Sequence, residues 1–269
     1  MNEATRVSGA PPSGARPKSA IRPLLNIDYL VFSSHKTATQ SVKKSLNKTG
    51  LKCKHCHHPM NIGLDVSELP KLARRYKKRN GRKLPIITIF REPISRHISS
   101  FFQTHGWKPL SGKSRVSKEE TIIYRLPVED LIERFLSDVS NRTLRGRLEA
   151  LDLISKGFDV PFEQMRFDPK AKRGFSEHET VSLHILRFDH LIGDFTTSLE
   201  QIAGRPIHQS NKNVTDDKWY NDKYASFKRE IRIPEALIHR VYTERRHIIE
   251  LMYEEPFDRV MESSIQKYG

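Results

Sequence analysis

The sequence has no apolar run approaching the roughly 20 residues that cross a bilayer, and its first residues lack the apolar core of a secretory signal. Its two cysteines, Cys53 and Cys56, are too few for a disulfide framework. These absences favour a cytoplasmic protein. A protein that works peripherally at the inner membrane face, in contact with a membrane biosynthetic complex, has the same profile.

The chain also lacks the Cys and His spacing of zinc fingers and the aromatic signature of RNA-binding folds, although its formal net charge is +15. The densest basic run is residues 71–83, with eight Lys or Arg in thirteen positions. Such a run is typical of a solvated helix face, and a nucleic-acid patch is the alternative. We expect no nucleic-acid partner, and we expect the charge to attract other anions, such as acidic glycans or phosphorylated small molecules.

Residues 1–23 are rich in Ser, Gly, Ala and Pro and are predicted to be a disordered tail. Residues 24–269 are predicted to form a single α/β domain. Buried-type strands are expected at 27–33, 84–90 and 182–188, with a short strand within 51–58. Helical patterns separate them and predict a parallel sheet flanked by helices; these patterns lie at 40–50, 71–80, 93–103, 128–139, 196–204 and, as one long helix, 234–253.

The turn SSHKTATQS, residues 33–41, lies between the first strand and the first helix but contains no glycine. The pattern G-x-x-x-x-G-K-[ST] of a nucleoside triphosphate loop is therefore absent. What is present suits a single phosphate-like group: a helix N-terminus, the charge of Lys36 and the hydroxyls of Thr37, Thr39 and Ser41. The alternative is a surface turn without a ligand.

A second polar turn follows the strand at 84–90, where Arg91 ends the strand. Ser95, Ser99 and Gln103 then form a polar stripe on the next helix. An arginine fork with a nearby hydroxyl suits a terminal phosphate, and a surface arginine beside Glu92 is the alternative. Because both turns lie at the carboxyl ends of parallel strands, where ligands of such sheets bind, we predict that the two turns converge.

These residues carry a resemblance. The loop SSHKTATQS is similar to the 5′-phosphosulfate loop of sulfotransferases that use 3′-phosphoadenosine 5′-phosphosulfate (PAPS), and FREPISRHISSFF resembles their 3′-phosphate motif. Most of residues 27–260 resembles a bacterial family of capsular-polysaccharide proteins named for an Asn-Lys-Trp-Tyr-Ser motif. The corresponding residues here are Asp217-Lys218-Trp219-Tyr220-Asn221, which match the motif only at the central Lys-Trp-Tyr. The other similar segments are HCHHP, GFDVPFE, FDPKAKRGFS, LHILRFDHL and NVTDDKWYNDKYASFK.

The resemblance implies a sulfotransferase-like, P-loop-like fold and PAPS as sulfuryl donor, with no metal. Lys36 and the amides and hydroxyls of Thr37 to Ser41 would hold the phosphosulfate, and Arg91 with Ser99 would hold the 3′-phosphate. Many relatives have glycine where this chain has Ala38. The implied donor-binding set is His35, Lys36, Thr37, Ala38, Thr39, Gln40, Ser41, Arg91 and Ser99.

For the catalytic base, the resemblance points to the end of the strand after the first helix, where KHCHHP stands. His57 is the first choice, then His55, then His58, and Lys36 would steady the leaving group. Alternation along a strand would put His55 and His57 on one face. Two alternatives stay open: a half-exposed strand end without chemistry, or a metal site of Cys53-x-x-Cys56 with a neighbouring histidine, although no second Cys pair exists.

The resemblance implies transfer of a sulfuryl group to a saccharide hydroxyl, in capsular or surface polysaccharide biosynthesis. One alternative is a P-loop-type nucleotide-dependent kinase, which the missing glycines and the lack of an Mg²⁺-binding Asp at a strand end disfavour. Another is a non-catalytic polyanion-binding module. Near the C-terminal third, aromatic and basic residues are expected either to cover a ligand or to pack on the core; they are Lys212, Lys218, Trp219, Tyr220 and Tyr224.

Overall fold

The computed structural model describes residues 20–106, 117–140, 149–210 and 219–269. The described residues form an α/β fold around a five-stranded sheet of order β2-β1-β3-β5-β4. Four strands are parallel, and β4 pairs antiparallel with β5 at one edge. The strands are β1 (Tyr29–Phe32), β2 (Cys53–Cys56), β3 (Leu84–Phe90), β4 (Arg173–Glu177) and β5 (Val181–Arg187).

Helices cover both faces of this sheet, as the alternation of patterns predicted. One face carries three helices, α1 (Thr39–Lys48), α7 (Phe188–Gly193) and α8 (Phe195–Ala203). The other face carries the rest: α2 (Leu69–Asn80), α3 (Pro93–His105), α4 (Ile122–Arg125), α5 (Val128–Asp138), α6 (Ala150–Phe158), α9 (Asn221–Glu230), α10 (Glu235–Thr243), α11 (Arg246–Met252) and α12 (Phe257–Tyr268).

The alternation of side chains along each strand divides the core into two layers. On β3, Ile87 and Ile89 pack with the α1 layer, whereas Ile86 and Phe90 pack with the α2 layer. All seven residues of β3 are buried, which explains why its sequence is apolar without alternation. The strand predicted at 84–90 is therefore confirmed.

Two sequence predictions need correction. The sheet is not wholly parallel, because β4 was not predicted and runs antiparallel. The helix predicted as one at 234–253 is two, since α10 ends at Thr243 and the backbone of Arg245, at φ −121°, starts α11. A short 3₁₀ helix, Arg22–Asn26, precedes β1, and its Leu24 is buried. Residues 1–19 of the predicted tail lie outside the described residues.

The strand order reverses direction beside β1. The chain passes from β1 to β2 on one side through α1, and then returns through α2 to β3 on the other side. The carboxyl ends of β1 and β3 therefore flank a topological switch point, which is where open α/β sheets bind ligands. Among the described residues, no helix is both long and apolar enough to cross a membrane.

Candidate functional site

The loop between β1 and α1 has an unusual backbone for a segment without glycine. Lys36 has φ 68° and Ala38 has φ 59°, both in the left-handed region that side chains other than glycine disfavour. Ala38 is the residue that precedes α1, and its side chain makes no capping hydrogen bond. The conformation of Ala38 is the one that glycine adopts without steric conflict.

A buried hydroxyl network fixes this loop. Ser33 Oγ donates to the carbonyl of Ile89 (2.8 Å) and accepts from the amide of Ile89 (3.0 Å), which ties the end of β1 to β3. Thr37 Oγ1 lies 2.7 Å from Ser33 Oγ, donates to the carbonyl of Ser34 and lies 3.2 Å from Thr39 Oγ1. The hydroxyls of Thr37 and Thr39 thus shape the loop, although the sequence suggested that they face a ligand.

Arg91 connects the two polar turns directly. Its Nη1 donates to the carbonyl of Lys36 at 2.9 Å, and its Nε and Nη2 donate to Ser95 Oγ at 3.2 and 2.9 Å. The guanidinium carbon stands 4.3 Å from the centre of the Phe188 ring. Burial lowers the pKa of Arg91, and nearby Tyr224 and Glu92 act in the opposite direction. Since arginine stays protonated in proteins, a fixed positive charge lies at the switch point.

The polar stripe of α3 faces this loop. Ser95 contacts Arg91, and Gln103 accepts a hydrogen bond from Lys36 Nζ at 2.5 Å. Ser99 lies one turn from each of them on the same face of the helix, half-buried. The hydroxyl that touches Arg91 is that of Ser95, and Ser99, which the resemblance assigned to the 3′-phosphate, follows one turn later. The i, i+4 spacing of these three polar residues was the signal for it.

Of the three candidate bases, His57 is the one whose ring a backbone carbonyl orients. Its Nδ1 lies 2.7 Å from the carbonyl of Ser33, so Nδ1–H donates there and the lone pair is on Nε2. Burial lowers the pKa of His57, while hydrogen bonds to the backbone of residues 33 and 34 raise it, and the net direction is down. The neutral imidazole therefore predominates at pH 7. The ring of His35 lies against it at a tilt of 35°, with centroids 3.9 Å apart.

The other two histidines are engaged differently. His55 lies on the same side as His57, with ring centroids 5.6 Å apart, but its Nε2 contacts the Gln40 amide nitrogen at 2.7 Å. Burial, and then the charge of Lys43, lowers the pKa of His55. His58 is exposed, and its Nδ1 accepts the amide of Met60 at 3.3 Å, which caps a short 3₁₀ helix.

Cys53 and Cys56 do not converge on one site. Three positions apart on β2, they pack into opposite layers of the core, Cys53 beside α1 and Cys56 beside α2. Burial raises the pKa of each thiol to about 12, which keeps both protonated at neutral pH. The pair is therefore a poor basis for a metal site, and within the described ranges no group of three His, Cys, Asp or Glu side chains is arranged around a cation position.

A buried ionic network, which the sequence did not reveal, contacts the loop between β1 and α1 through Ser34. Glu149 accepts hydrogen bonds from Arg96, from Arg245 Nε (2.8 Å) and from Ser34 Oγ (2.8 Å). The side chains of Arg96, Arg245 and Glu149 are 13, 6 and 7 % exposed. Burial alone would raise the pKa of Glu149, but the two guanidinium groups hold it below its usual range. The break between α10 and α11 lets Arg245 join this network.

The aromatic segment after residue 218 divides between core and surface. Tyr220 is buried against Phe102, and Tyr224 meets the same ring edge-on at 5.0 Å. Trp219 is 40 % exposed. Tyr220 therefore packs on the core, which was one of the two predicted roles. Tyr224 packs there too, and it also lies close enough to Arg91 to affect the pKa of that arginine. Lys212, Lys218 and the start of the naming motif lie outside the described residues.

Three groups thus lie at the carboxyl edge of the sheet: the cationic side chain of Lys36, the hydrogen-bonded guanidinium of Arg91 and the neutral imidazole of His57. This set suits an anionic ligand beside a group that loses a proton. No protein-family model, curated protein or solved structure matches the chain. The function therefore has to be inferred from this geometry and from the motifs in the sequence.

Proposed function

We propose that the chain is a PAPS-dependent sulfotransferase that transfers a sulfuryl group to a saccharide hydroxyl. The observation that carries this proposal is the hydrogen bond from Arg91 Nη1 to the Lys36 carbonyl, which makes the two anion-binding turns neighbours at the switch point. The finer description of the sheet as a sulfotransferase-like, P-loop-like fold belongs to the same proposal. The missing glycines of a triphosphate loop support a smaller anionic group in this loop.

The donor set matches a ligand with two separate anionic ends. Lys36 and the amides at the start of α1, residues 39–41, would hold the 5′ end, and Arg91 with Ser95 and Ser99 would hold the 3′-phosphate. When bound, PAPS supplies an activated sulfuryl group that needs no metal. Lys36 Nζ, now bonded to the exposed Gln103, can turn from it to neutralise negative charge on the leaving phosphate.

His57 is the proposed general base. Its Nδ1–H bond to the Ser33 carbonyl holds the ring in the tautomer whose Nε2 can accept the proton of the attacking hydroxyl. The depressed pKa keeps this nitrogen unprotonated at pH 7. His35, which lies against the ring, restricts its rotation. The tied loop and the oriented imidazole act mainly by positioning the reacting groups.

The acceptor class follows from the resemblance to capsular-polysaccharide proteins. A hydroxyl of a bacterial capsular or surface polysaccharide is the proposed acceptor. The reaction would then take place in the cytoplasm, with peripheral contact to a membrane biosynthetic complex. The net charge of +15 supports an acidic or nucleotide-bearing ligand in general and does not select among them.

Thermal unfolding with three ligands tests the donor assignment. Adenosine 3′,5′-bisphosphate at about 100 times its Kd should stabilise the protein by roughly 2.7 kcal/mol. ATP with Mg²⁺ should do less, and Lys36→Ala and Arg91→Ala should each abolish the effect of the bisphosphate. A matched control is Lys118→Ala, which removes one exposed charge elsewhere. A larger shift with ATP, or none with the bisphosphate, contradicts the proposal.

A further inference from the structure

The exposed face of α2 carries charge of one sign only. Its buried face is apolar, with Leu69, Leu72 and Tyr76 fully enclosed. The helix has no acidic residue, and its six basic side chains are all exposed. We refer to them as the cationic face: Lys71, Arg74, Arg75, Lys77, Lys78 and Arg79.

The cationic face lacks countercharges. Within the described part of the chain, none of the six side chains forms an ion pair with a carboxylate, and Lys77 instead donates to the backbone carbonyl of Glu179 at 2.9 Å. Several exposed cations elsewhere are paired, as Lys170 is with Glu254 and Arg229 is with Glu230. Unpaired charges on one surface add their fields, and the potential there attracts an anionic partner.

The charges are arranged as a line that leads to a groove. Lys71, Arg74, Arg75 and Lys78 recur at i, i+3, i+4 and i+7, so they follow one stripe about 10 Å long. At the end of the stripe an open groove of about 370 Å³ lies against the turn before β5. The groove is lined by Arg74, Lys77, Lys78, Gly81, Glu179 and Thr180.

We propose that the cationic face and its groove bind a linear acidic polysaccharide, as an anion-binding surface separate from the candidate active site. Gly81 and Thr180 precede β3 and β5, so the groove lies at the amino ends of the strands, opposite to the loop at Lys36. A chain of sugars can follow the stripe and enter the groove. A flat bilayer cannot enter it, and the exposed face of α2 offers no apolar side chain to insert into lipid.

Two features favour a polysaccharide over a nucleic acid. The cationic face and the groove contain no exposed aromatic ring on which a base could stack. Glu179 also lines the groove, and its carboxylate would accept hydrogen bonds from sugar hydroxyls and repel a closely spaced phosphate chain. A partner with carboxylate or sulfate groups separated by hydroxyls satisfies both the cations and this one anion.

Binding measurements on charge-matched variants test the surface. The variant Lys71→Ala/Arg74→Ala/Arg75→Ala/Lys78→Ala removes four charges and keeps good helix formers in α2. The control Lys118→Ala/Lys170→Ala/Arg229→Ala/Arg259→Ala removes four exposed charges that are ion-paired. Affinity is measured for polygalacturonate, heparin, single-stranded poly(U) RNA and phosphatidylserine vesicles between 50 and 200 mM salt.

The native chain should bind both polysaccharides more tightly than RNA or vesicles. The α2 variant should bind them at least tenfold more weakly, and the slope of log affinity against log salt should shrink by up to about one unit for each cation removed. The control should lose less than about threefold. Tighter binding of RNA or vesicles, equal losses in both variants, or no binding of either polysaccharide overturns the proposal.

The same variants separate this surface from the proposed transfer reaction. The α2 variant should keep the thermal stabilisation by adenosine 3′,5′-bisphosphate, because its substitutions lie away from Lys36 and Arg91. Retained stabilisation with lost polysaccharide binding supports two separate sites. Loss of both indicates that the cationic face belongs to the donor site, and that result overturns its assignment as a separate surface.

Discussion

His57 shows how one backbone contact can prepare a side chain for proton transfer. The bond from Nδ1 to the Ser33 carbonyl fixes the tautomer, and burial, the largest influence, lowers the pKa. His55 has a depressed pKa as well, but Gln40 contacts its Nε2. The difference between the two residues is therefore geometric, and it could not be read from the alternation of His and Cys in the sequence.

We predict that His57→Ala keeps the stabilisation by adenosine 3′,5′-bisphosphate but lowers turnover by about 10²–10⁴-fold. In the native chain, kcat/KM should fall on the acid side with an apparent pKa below 6.5, because protonated His57 cannot accept a proton. Sulfuryl transfer to an acidic oligosaccharide, followed across pH 5–8, measures both. His239→Ala, on the exposed side of α10, is the control. Unchanged turnover in His57→Ala excludes this residue as the base.

At Ala38 the backbone itself carries strain. An alanine in the left-handed region is less stable there than in the right-handed region by roughly 1–2 kcal/mol. We predict that Ala38→Gly leaves the free energy of unfolding within about 1 kcal/mol of the native value or raises it, since relief of strain offsets the greater freedom of the unfolded chain. Urea unfolding and bisphosphate binding measure the effect.

The control for this substitution is Ala225→Gly, on the exposed side of α9, which should destabilise the protein by about 1 kcal/mol. Equal destabilisation at both positions would show that the loop does not hold Ala38 in the left-handed conformation. Full ligand binding by Ala38→Gly would show in addition that glycine and alanine support the same loop shape.

On the scale of secondary-structure elements, Glu149 joins the loop after β1, the helix α3 and the start of α11. We predict that Glu149→Gln lowers the free energy of unfolding by about 3–5 kcal/mol, because Arg96 stays buried without a charged partner and Arg245 keeps only Glu244, at 3.5 Å. Glu250→Gln removes an exposed partner from Arg246 and should cost less than about 1 kcal/mol. Urea denaturation compares them, and similar losses in the two variants would refute a structural role for the network.

The elements that the sequence predicted well are those with strong local patterns. Residues 84–90 are apolar except for Thr88, and Pro93 marks the start of α3, so strand and helix were both evident. The strand β4 was missed because its side chains are mostly exposed and only its pairing with β5 defines it. The break at Arg245 was missed because it coincides with a contact to Glu149, 96 residues away, which no local pattern contains.

For the candidate site, the sequence predicted the two turns and the polar stripe of α3. It did not predict which hydroxyl touches Arg91, since Ser95 and Ser99 share one face of the helix. It also assigned the hydroxyls of Thr37 and Thr39 to a ligand, whereas the fold uses them within the loop. Choices of this kind depend on tertiary distances, which local patterns do not contain.

For the whole molecule, acid sensitivity follows from a half-buried histidine in the sheet. His184 on β5 lies between the rings of Tyr29 and Phe175, and burial lowers its pKa from 6.5 to about 4. In the folded protein His184 takes up a proton only near pH 4, whereas in the unfolded chain it does so near pH 6.5. The free energy of unfolding should therefore fall as the pH drops from about 6.5 to about 4.

We predict that His184→Gln removes roughly 2–3 kcal/mol of this pH dependence. Urea unfolding at half-unit pH steps gives the slopes for the native chain and for the variant. If the native chain and His184→Gln lose stability in parallel over this interval, another group is responsible for the acid sensitivity.

The sheet order also bears on self-association. Its two edges are β2, four residues long with Lys54 exposed, and β4, where Arg173 and Glu177 point to solvent. Short edge strands with charged side chains are poor templates for pairing with another chain. Growth of the sheet from one copy of the protein into the next is therefore disfavoured at both edges, and the unpaired backbone groups that every open sheet exposes do not become a route to aggregation.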